Sequence, residues 1–291
     1  MKFYVPKFQI ATLKGPQRKL RSKFGGLPWG LPLERWRRCQ QCGKLMSLLT
    51  QLTHDSMALN LGGPEHVLHL FQCQECFGYD AGAGNDAIMV PVKDLDHGLT
   101  QLPAGEALGG VLGSSLDAMV GELWIDGWKE QDDGLAPGLA KELFDQDKWM
   151  QLPRTMVYSM FESRWRTKMG GVPYWTGNGP LHKPRRGYEF LFQIDNDIEF
   201  QGKPPRPNDV GGMVVVTKLE GQGSELRVVR QDYRKPRPSK KRLNAPWIIQ
   251  VDESEKGKFL VGITNLGTDG TAYVFINRRS NPAEVYWFWN R

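Results

Sequence analysis

The chain predicts an α+β, β-rich fold: two duplicated β lobes, the first stapled through its cysteines, with an acidic helical segment between them. Three observations predict it. Two C-x-x-C pairs, Cys39-Gln40-Gln41-Cys42 and Cys73-Gln74-Glu75-Cys76, bracket thirty residues of strand pattern. A nine-residue segment at 21–29 recurs at 166–174. Helical patterning is concentrated between them, where Asp and Glu are dense. The expected boundaries are 1–110 for the first lobe, 111–160 for the acidic connector and 161–291 for the second lobe.

The cysteine pairs carry the most specific chemistry. They are all four cysteines in 291 residues. A C-x-x-C turn points two thiolates into one hemisphere, and two such knuckles supply four sulfurs at about 2.3 Å around a tetrahedral zinc. Strand pattern leaves the first knuckle at residues 45–52 and enters the second at 66–72, the plan of a zinc ribbon. Disulfides would suit a secreted chain, but the opening Met1-Lys2-Phe3-Tyr4-Val5-Pro6-Lys7 has no apolar signal core, and a cytoplasmic location is expected. A redox pair needs one C-x-x-C in a βαβ setting rather than two matched pairs. Four cysteines close the coordination shell where a catalytic zinc keeps a position open. Cys39, Cys42, Cys73 and Cys76 are therefore expected to hold one structural zinc, with His66 and His69 on the strand surface.

Composition suits a soluble globular chain: 40% hydrophobic and 24% charged, with no apolar run near the roughly 18 residues of a membrane span. The net charge of +6 is unevenly spread. Residues 1–50 carry eleven Lys and Arg against one acid, Glu34, while residues 101–150 carry ten acids against three Lys.

Residues 1–20 hold short apolar stretches broken by Pro6 and Pro16, which predicts a strand or arm. Gly25-Gly26-Leu27-Pro28-Trp29 predicts a tight turn, because the glycines reach torsions closed to other residues. Beyond Cys76 a glycine loop contains G-x-G-x-x-A, but a cysteine knuckle precedes it where a dinucleotide site needs a buried strand. Residues 88–95 read as a strand with an edge proline. In the acidic middle, Ser114 or Ser115 is expected to cap a helix through Leu116, Met119, Val120 and Leu123, and Pro137 to open another through Leu139, Leu143 and Phe144.

Five of nine residues are identical between 21–29 and 166–174. Residues 188–195 echo 45–52, both ending apolar-x-Gln-apolar, and Trp247-Ile248-Ile249-Gln250-Val251 is a third echo. A duplicated β module is the economical explanation. The second copy has no cysteine and is expected to close on Trp175, Phe190, Phe192 and Trp247. Residues 230–242 carry seven basic residues and two prolines and are expected to form an exposed basic loop. Asp195-Asn196-Asp197 lacks the glycine and terminal Glu of a calcium loop and reads as an acidic turn. Residues 285–289 alternate like a terminal strand.

The ordered set of Gly-Gly-x-Pro-aromatic, Cys-x-x-Cys-Gly43, an apolar strand ending Gln51-Leu52 and a Phe-containing strand into a second knuckle resembles two groups. One is the YwqG-like bacterial family, a domain of unknown function. The other is the programmed-cell-death-two family of eukaryotes, similar in its zinc-knuckle segment. The Phe192-Gln193-Ile194-Asp195 stretch and residues 270–275 also look like the YwqG pattern; the resemblance covers about residues 20–80 and 165–280. It implies a β-rich duplicated fold and no established enzymatic activity. Eukaryotic relatives are associated with escorting a ribosomal protein, and bacterial relatives sit beside toxin genes as immunity proteins would.

No G-x-S-x-G elbow, Walker loop or H-E-x-x-H occurs, so an enzyme is not expected. The expected function is a non-enzymatic protein-binding module, an immunity-type protein occluding a cognate toxin. Its alternatives are a chaperone or adaptor for a basic, ribosomal-type protein, and a zinc-containing RNA-binding protein. Trp124 and Trp128 with Asp126, Asp132 and Asp133 are the expected partner-binding anchors, since aromatics hold and charge steers. For nucleic acid, Arg234, Lys235, Arg237, Lys240 and Lys241 are the candidates, beside the basic cluster at 35–38.

Overall fold

The computed structural model describes residues 1–12, 17–76, 84–104, 106, 108, 119–155, 167–176, 185–210, 213–220, 227–235, 247–255, 257–264, 266 and 270–290. In chain order the first strands are β1 (Lys2–Ile10), β2 (Lys23–Phe24), β3 (Ser47–Thr53), β4 (His66–Gln72), β5 (Asn85–Pro91), β6 (Met119–Val120) and β7 (Leu123–Asp132). Two short helices follow, α1 (Pro137–Glu142) and α2 (Gln146–Met150). Then come β8 (Lys168–Gly170), β9 (Glu189–Asp195), β10 (Asp197–Gln201), β11 (Met213–Glu220) and β12 (Arg227–Arg234). The last strands are β13 (Trp247–Glu255), β14 (Lys258–Gly262), β15 (Thr271–Asn277) and β16 (Glu284–Asn290).

The fold is β-rich. A ten-stranded sheet runs β16-β15-β9-β8-β1-β7-β2-β3-β4-β5, and a second sheet runs β10-β14-β13-β11-β12 with β6 beside β13. The large sheet is regular about the antiparallel β1–β7 pair: β2-β3-β4-β5 extend one flank and β8-β9-β15-β16 the other. Strands from both expected lobes thus lie in one continuous hydrogen-bonded sheet, while β10 to β14 of the second form the other sheet.

Strands such as β3 and β4 are buried along nearly their whole length because the sheet is covered on both faces. One apolar cluster lies between the sheets, joining Leu52, Leu68, Leu70, Phe192, Ile194 and Val274 of the large sheet to Val214, Val216, Val251 and Val261 of the small one. On the opposite face two further clusters stand side by side. The first holds Leu27, Leu31, Trp36, Met46, Phe71 and Ile88 beside Cys39 and Cys73. The second, beneath α1 and α2, is aromatic: Tyr174, Trp175, Tyr273, Phe275, Tyr286 and Phe288. Of the residues expected to close the second half, Trp175 and Phe190 join this cluster, Phe192 faces the inter-sheet core, and Trp247 opens β13 in the other sheet.

The acidic connector differs from expectation. Leu123, expected to close a helix, instead opens a strand over residues 123–132, the longest among the described residues. Leu123, Trp124 and Ile125 are buried, and the strand is paired to β1 along one side and to β2 on the other. Two ready edges and an apolar start outweigh the local 3.6-residue pattern. Met119 and Val120 are likewise in a strand, while Ser114, Ser115 and Leu116 lie outside the described residues. Pro137 does open α1 at its first turn. The basic stretch also begins as a strand: Arg230 to Arg234 belong to β12, paired to β11 by a register that joins Lys218 to Arg230 and Val214 to Arg234. Arg237, Lys240 and Lys241 lie outside the described residues.

Candidate metal centre

The first knuckle is a turn tied by its own backbone. Cys39 N–H donates to Lys44 O and Gly43 N–H to Cys39 O, each at 2.8 Å, and Gly43 takes a φ of 73° that glycine adopts freely. Trp36 Nε1 anchors the approach by donating to Met46 O at 2.9 Å. The second knuckle leaves β4 and turns at once: Cys73 N–H donates to Gly84 O at 2.7 Å, and Cys76 N–H donates to Cys73 Sγ at 3.3 Å. β3 and β4 pair from Ser47–Gln72 to Thr53–Val67, so their adjacent ends bring the two knuckles together across the sheet end.

All four Sγ atoms lie within 4.8 Å of one another. Cys42 Sγ and Cys73 Sγ are 3.7 Å apart. A tetrahedron with sulfurs about 2.3 Å from its centre has edges of about 3.8 Å, so this edge matches a metal tetrathiolate. Cys39 and Cys73 are buried, Cys76 is half-buried and Cys42 faces solvent. Burial drives the Cys73 and Cys76 thiols well above the ordinary range, as thiolates in a dry pocket require a cation. At Cys39 burial pushes the same way, but the N–H groups of Cys42 and Gln41 and the neighbouring sulfurs bring the thiol below its ordinary value. Cations stand beside the cluster: Arg38 reaches Gly43 O at 3.1 Å and Glu106 at 2.5 Å, and Lys44 pairs with Glu75. The four-sulfur set fits a soft or borderline divalent ion that accepts tetrahedral geometry.

A second constellation underlies both Gly-Gly turns. Cross-strand pairing puts Lys23, Gln51, His69 and Ile88 in one row, and Lys168, Gln193, Tyr273 and Phe288 in the corresponding row of the other flank. Each lysine is fully buried and donates to the carbonyl four residues on, Lys23 to Leu27 O at 2.6 Å and Lys168 to Val172 O at 2.5 Å. Each glutamine accepts the N–H of the turn's aromatic residue, Trp29 at 2.7 Å and Tyr174 at 2.9 Å. Gly25, Gly26, Gly170 and Gly171 have φ from 63° to 74°, and a Cβ on Gly171 would sit 2.8 Å from Phe3 Cβ. The lysine and glutamine thus satisfy main-chain groups that the turn folds down onto the sheet.

The two rows differ in charge and satisfaction. Lys23 also meets Gln17 at 2.7 Å and Glu122 at 3.3 Å; burial lowers its pKa to about 8 against the pull of Glu122. Lys168 lies 4.9 Å from the centroid of the Phe3 ring. Tyr273 Oη donates to Tyr174 O and accepts Thr176 N–H, both at 2.7 Å. His69, in the matching place, is wholly buried, against the expectation of a surface histidine; among the described residues its ring nitrogens find only a weak main-chain contact at Val67, and the ring stacks on Phe71. His66 is half-buried beside Glu65.

The expected partner anchors are largely occupied within the fold. Trp124 is 9% exposed, with the Arg21 guanidinium 4.2 Å over its ring and Nε1 bonded to Glu122. Trp128 Nε1 donates to Asp55 Oδ2 at 3.1 Å. Asp133 has a fully covered side chain that takes the Met1 amine at 2.6 Å, and Asp132 takes it at 3.1 Å. Of the five, Asp126 and Asp132 are exposed, at 67% and 59%, Asp126 near Arg21 and Asp132 on the Met1 amine. In the nucleic-acid set, Arg234 and Lys235 are exposed, and Arg234 lies 3.7 Å from Asp232. The 195–197 turn closes on itself, Asp195 accepting Asn196 N–H at 2.8 Å, and burial with nearby Asp252 raises Asp197 to about 6. Among the described residues the four cysteines are the one group of His, Cys, Asp and Glu placed to share a metal ion.

No helix among the described residues is long and apolar enough to cross a membrane. No protein-family model matches the chain, and no curated protein matches it.

Proposed function

We propose that the chain is a non-enzymatic protein-binding module whose sheet end is stapled by one structural zinc, acting by stoichiometric capture of a partner protein in the cytoplasm. The observation that carries the reading is the sulfur cluster itself: four thiolates close a tetrahedral shell and leave no position for substrate. The resemblance to YwqG-like and programmed-cell-death-two segments supports the same class and points to a cognate toxin as the partner. The basic residues of β12 are the surface an RNA-binding alternative would use, but Arg230 and Arg234 both lean on Asp232, which lowers their value to phosphate.

The test has two arms. Metal analysis should find one zinc per chain, and Cys39→Ser should lose it together with much of the stability around β3 and β4, on the order of 10 kcal/mol or more of metal-coupled folding free energy. Purification from the native host should give a complex of fixed stoichiometry that survives EDTA at concentrations too low to strip the zinc. Well under one metal per chain with four free thiols would overturn the staple, and turnover of a small substrate by the pure chain would overturn the module.

A further inference from the structure

The large sheet ends in two strands that face each other without pairing, β5 and β16. They lie close around Asp86 and Trp287, where Trp287 Nε1 donates to Asp86 O at 2.9 Å and Arg37 Nε holds Asp86 Oδ2 at 3.2 Å. From that pin they part. An open groove of about 790 Å³ lies between residues 87–90 on one wall and residues 280–285 on the other. Residue numbers rise along one wall as they fall along the other, so the two edges run antiparallel.

Three properties of this groove fit a main chain. The β5 wall is an edge strand, paired on one side only, so alternate N–H and C=O groups of residues 87–90 point into the gap, and the facing wall is the 280–283 turn that leads into β16 at Glu284. Its inner side is apolar: Ala87, Met89, Ala283 and Val285 pack against the inter-sheet core and are only half-buried. Its outer rim is polar, with Arg35, Arg37 and Glu284. An occupant strand therefore meets apolar groups on one face and charged groups on the other, the alternation a strand displays. Pro91 and Pro282 bound the open end and offer no N–H, which limits the free edge to residues 87–90, roughly 13 Å of strand. The outer edge of β12 is a poorer candidate, guarded by exposed Arg230 and Arg234.

We propose that this seam receives one extended segment of the partner protein, roughly four residues long, with small apolar and polar residues alternating, hydrogen-bonded to one wall and packed against the other. The assignment rests on the protein-binding reading above and names where and how that binding occurs. The small residues are expected over Ala87, Ala283 and Val285, the polar ones beneath Arg35 and Arg37.

The experiment selects phage-displayed random dodecapeptides on the intact zinc-loaded chain and resynthesises the winners. Three versions are made: unmodified, N-methylated at alternate amides, and bearing a benzophenone at an apolar position. Support would be an alternating apolar–polar consensus, at least tenfold weaker binding after N-methylation in one of the two alternation phases, and a photo-cross-link to Met89 found by mass spectrometry. Ala283→Arg should also weaken binding at least tenfold; the methylated peptides test the same point with the protein unaltered, should that variant fold poorly. Cross-links on β12 or any other face would overturn the seam and leave the binding module standing. No enriched peptide, with the partner complex still recovered from the host, would overturn the extended-segment assignment. Loss of both would sink this inference and the module together. A concentration-dependent dimer that Ala283→Arg dissolves would assign the seam to a second copy of the chain and overturn it as well.

Discussion

His69→Phe should stabilise this protein, and the gain should grow as the solution is acidified. The ring is wholly buried, its two nitrogens have only a weak main-chain contact at Val67 among the described residues, and Phe71 stacks on it 6.2 Å away. Removing a buried donor and acceptor that are poorly satisfied, while keeping an aromatic ring in place, is worth about 1–3 kcal/mol at pH 7. Burial, with the Lys23 cation along the same row, depresses the imidazole pKa from 6.5 to about 3. The sign follows from linkage. Between those values the unfolded chain binds a proton that the folded chain refuses, so this contribution is intact above pH 6.5 and is lost as pH falls below it. The slope is about 1.4 kcal/mol per pH unit, or about 2 kcal/mol between pH 7 and pH 5. The gap between His69→Phe and wild type should therefore widen from about 1–3 to about 3–5 kcal/mol over that range. Urea unfolding followed by tryptophan fluorescence at pH 7.5, 6.5, 5.5 and 5.0 measures it, with zinc content checked at each pH. Other acid-sensitive groups act equally on both proteins and cancel in the difference. A gap that does not change with pH would refute the buried, neutral histidine.

Other perturbations test the turns and the central strand. Gly171→Ala forces a left-handed residue with a Cβ against Phe3, and should cost about 2–4 kcal/mol in denaturant unfolding. Lys23→Met should differ from wild type in its alkaline limb: because Lys23 titrates near 8 when folded and 10.5 when unfolded, wild type alone gains stability as pH rises between those values. A wild-type profile identical to the variant's from pH 8 to 10 would count against a charged buried Lys23. Asp133→Lys places a second cation where a covered carboxylate accepts the Met1 amine and the Leu135 N–H, and should cost about 3–5 kcal/mol in thermal or denaturant melts. Exposed Asp126→Lys should stay within about 0.5 kcal/mol of wild type, so that variant alone can probe partner capture without disturbing the fold.

The four-cysteine cluster was legible because its signal is local. Two C-x-x-C turns at the ends of a strand pair need only β3 and β4 to align, and those strands announce themselves by short segments rich in Leu, Val, Thr and Phe. The Gly-Gly turns were equally readable, since glycine at φ near 70° leaves its mark in the residue itself. The Lys and Gln that complete them were visible too, as the identical Lys of each nine-residue segment and the shared Gln of the strand echoes. Their coupling was hidden: a lysine and a glutamine some 25 residues apart meet only once register sets them side by side.

Register and layering decided the remainder. Residues 123–132 carry a mixed pattern that either periodicity could claim; the vacant edges of β1 and β2, both distant in sequence, made them a strand and buried Trp124. The same pairing joined two flanks into one sheet where a repeat alone suggested separate lobes. The burial of His69 depended on β3 and β5 flanking it with Gln51 and Ile88, and the seam on β16 and β5 meeting without pairing. By itself the sequence determined the short-range chemistry of this protein: cysteine spacing, glycine torsions and strand-forming runs. Only the tertiary structure decided which strands became neighbours, because cross-strand hydrogen bonding and two-sided burial are energies of the assembled sheet and belong to no single segment.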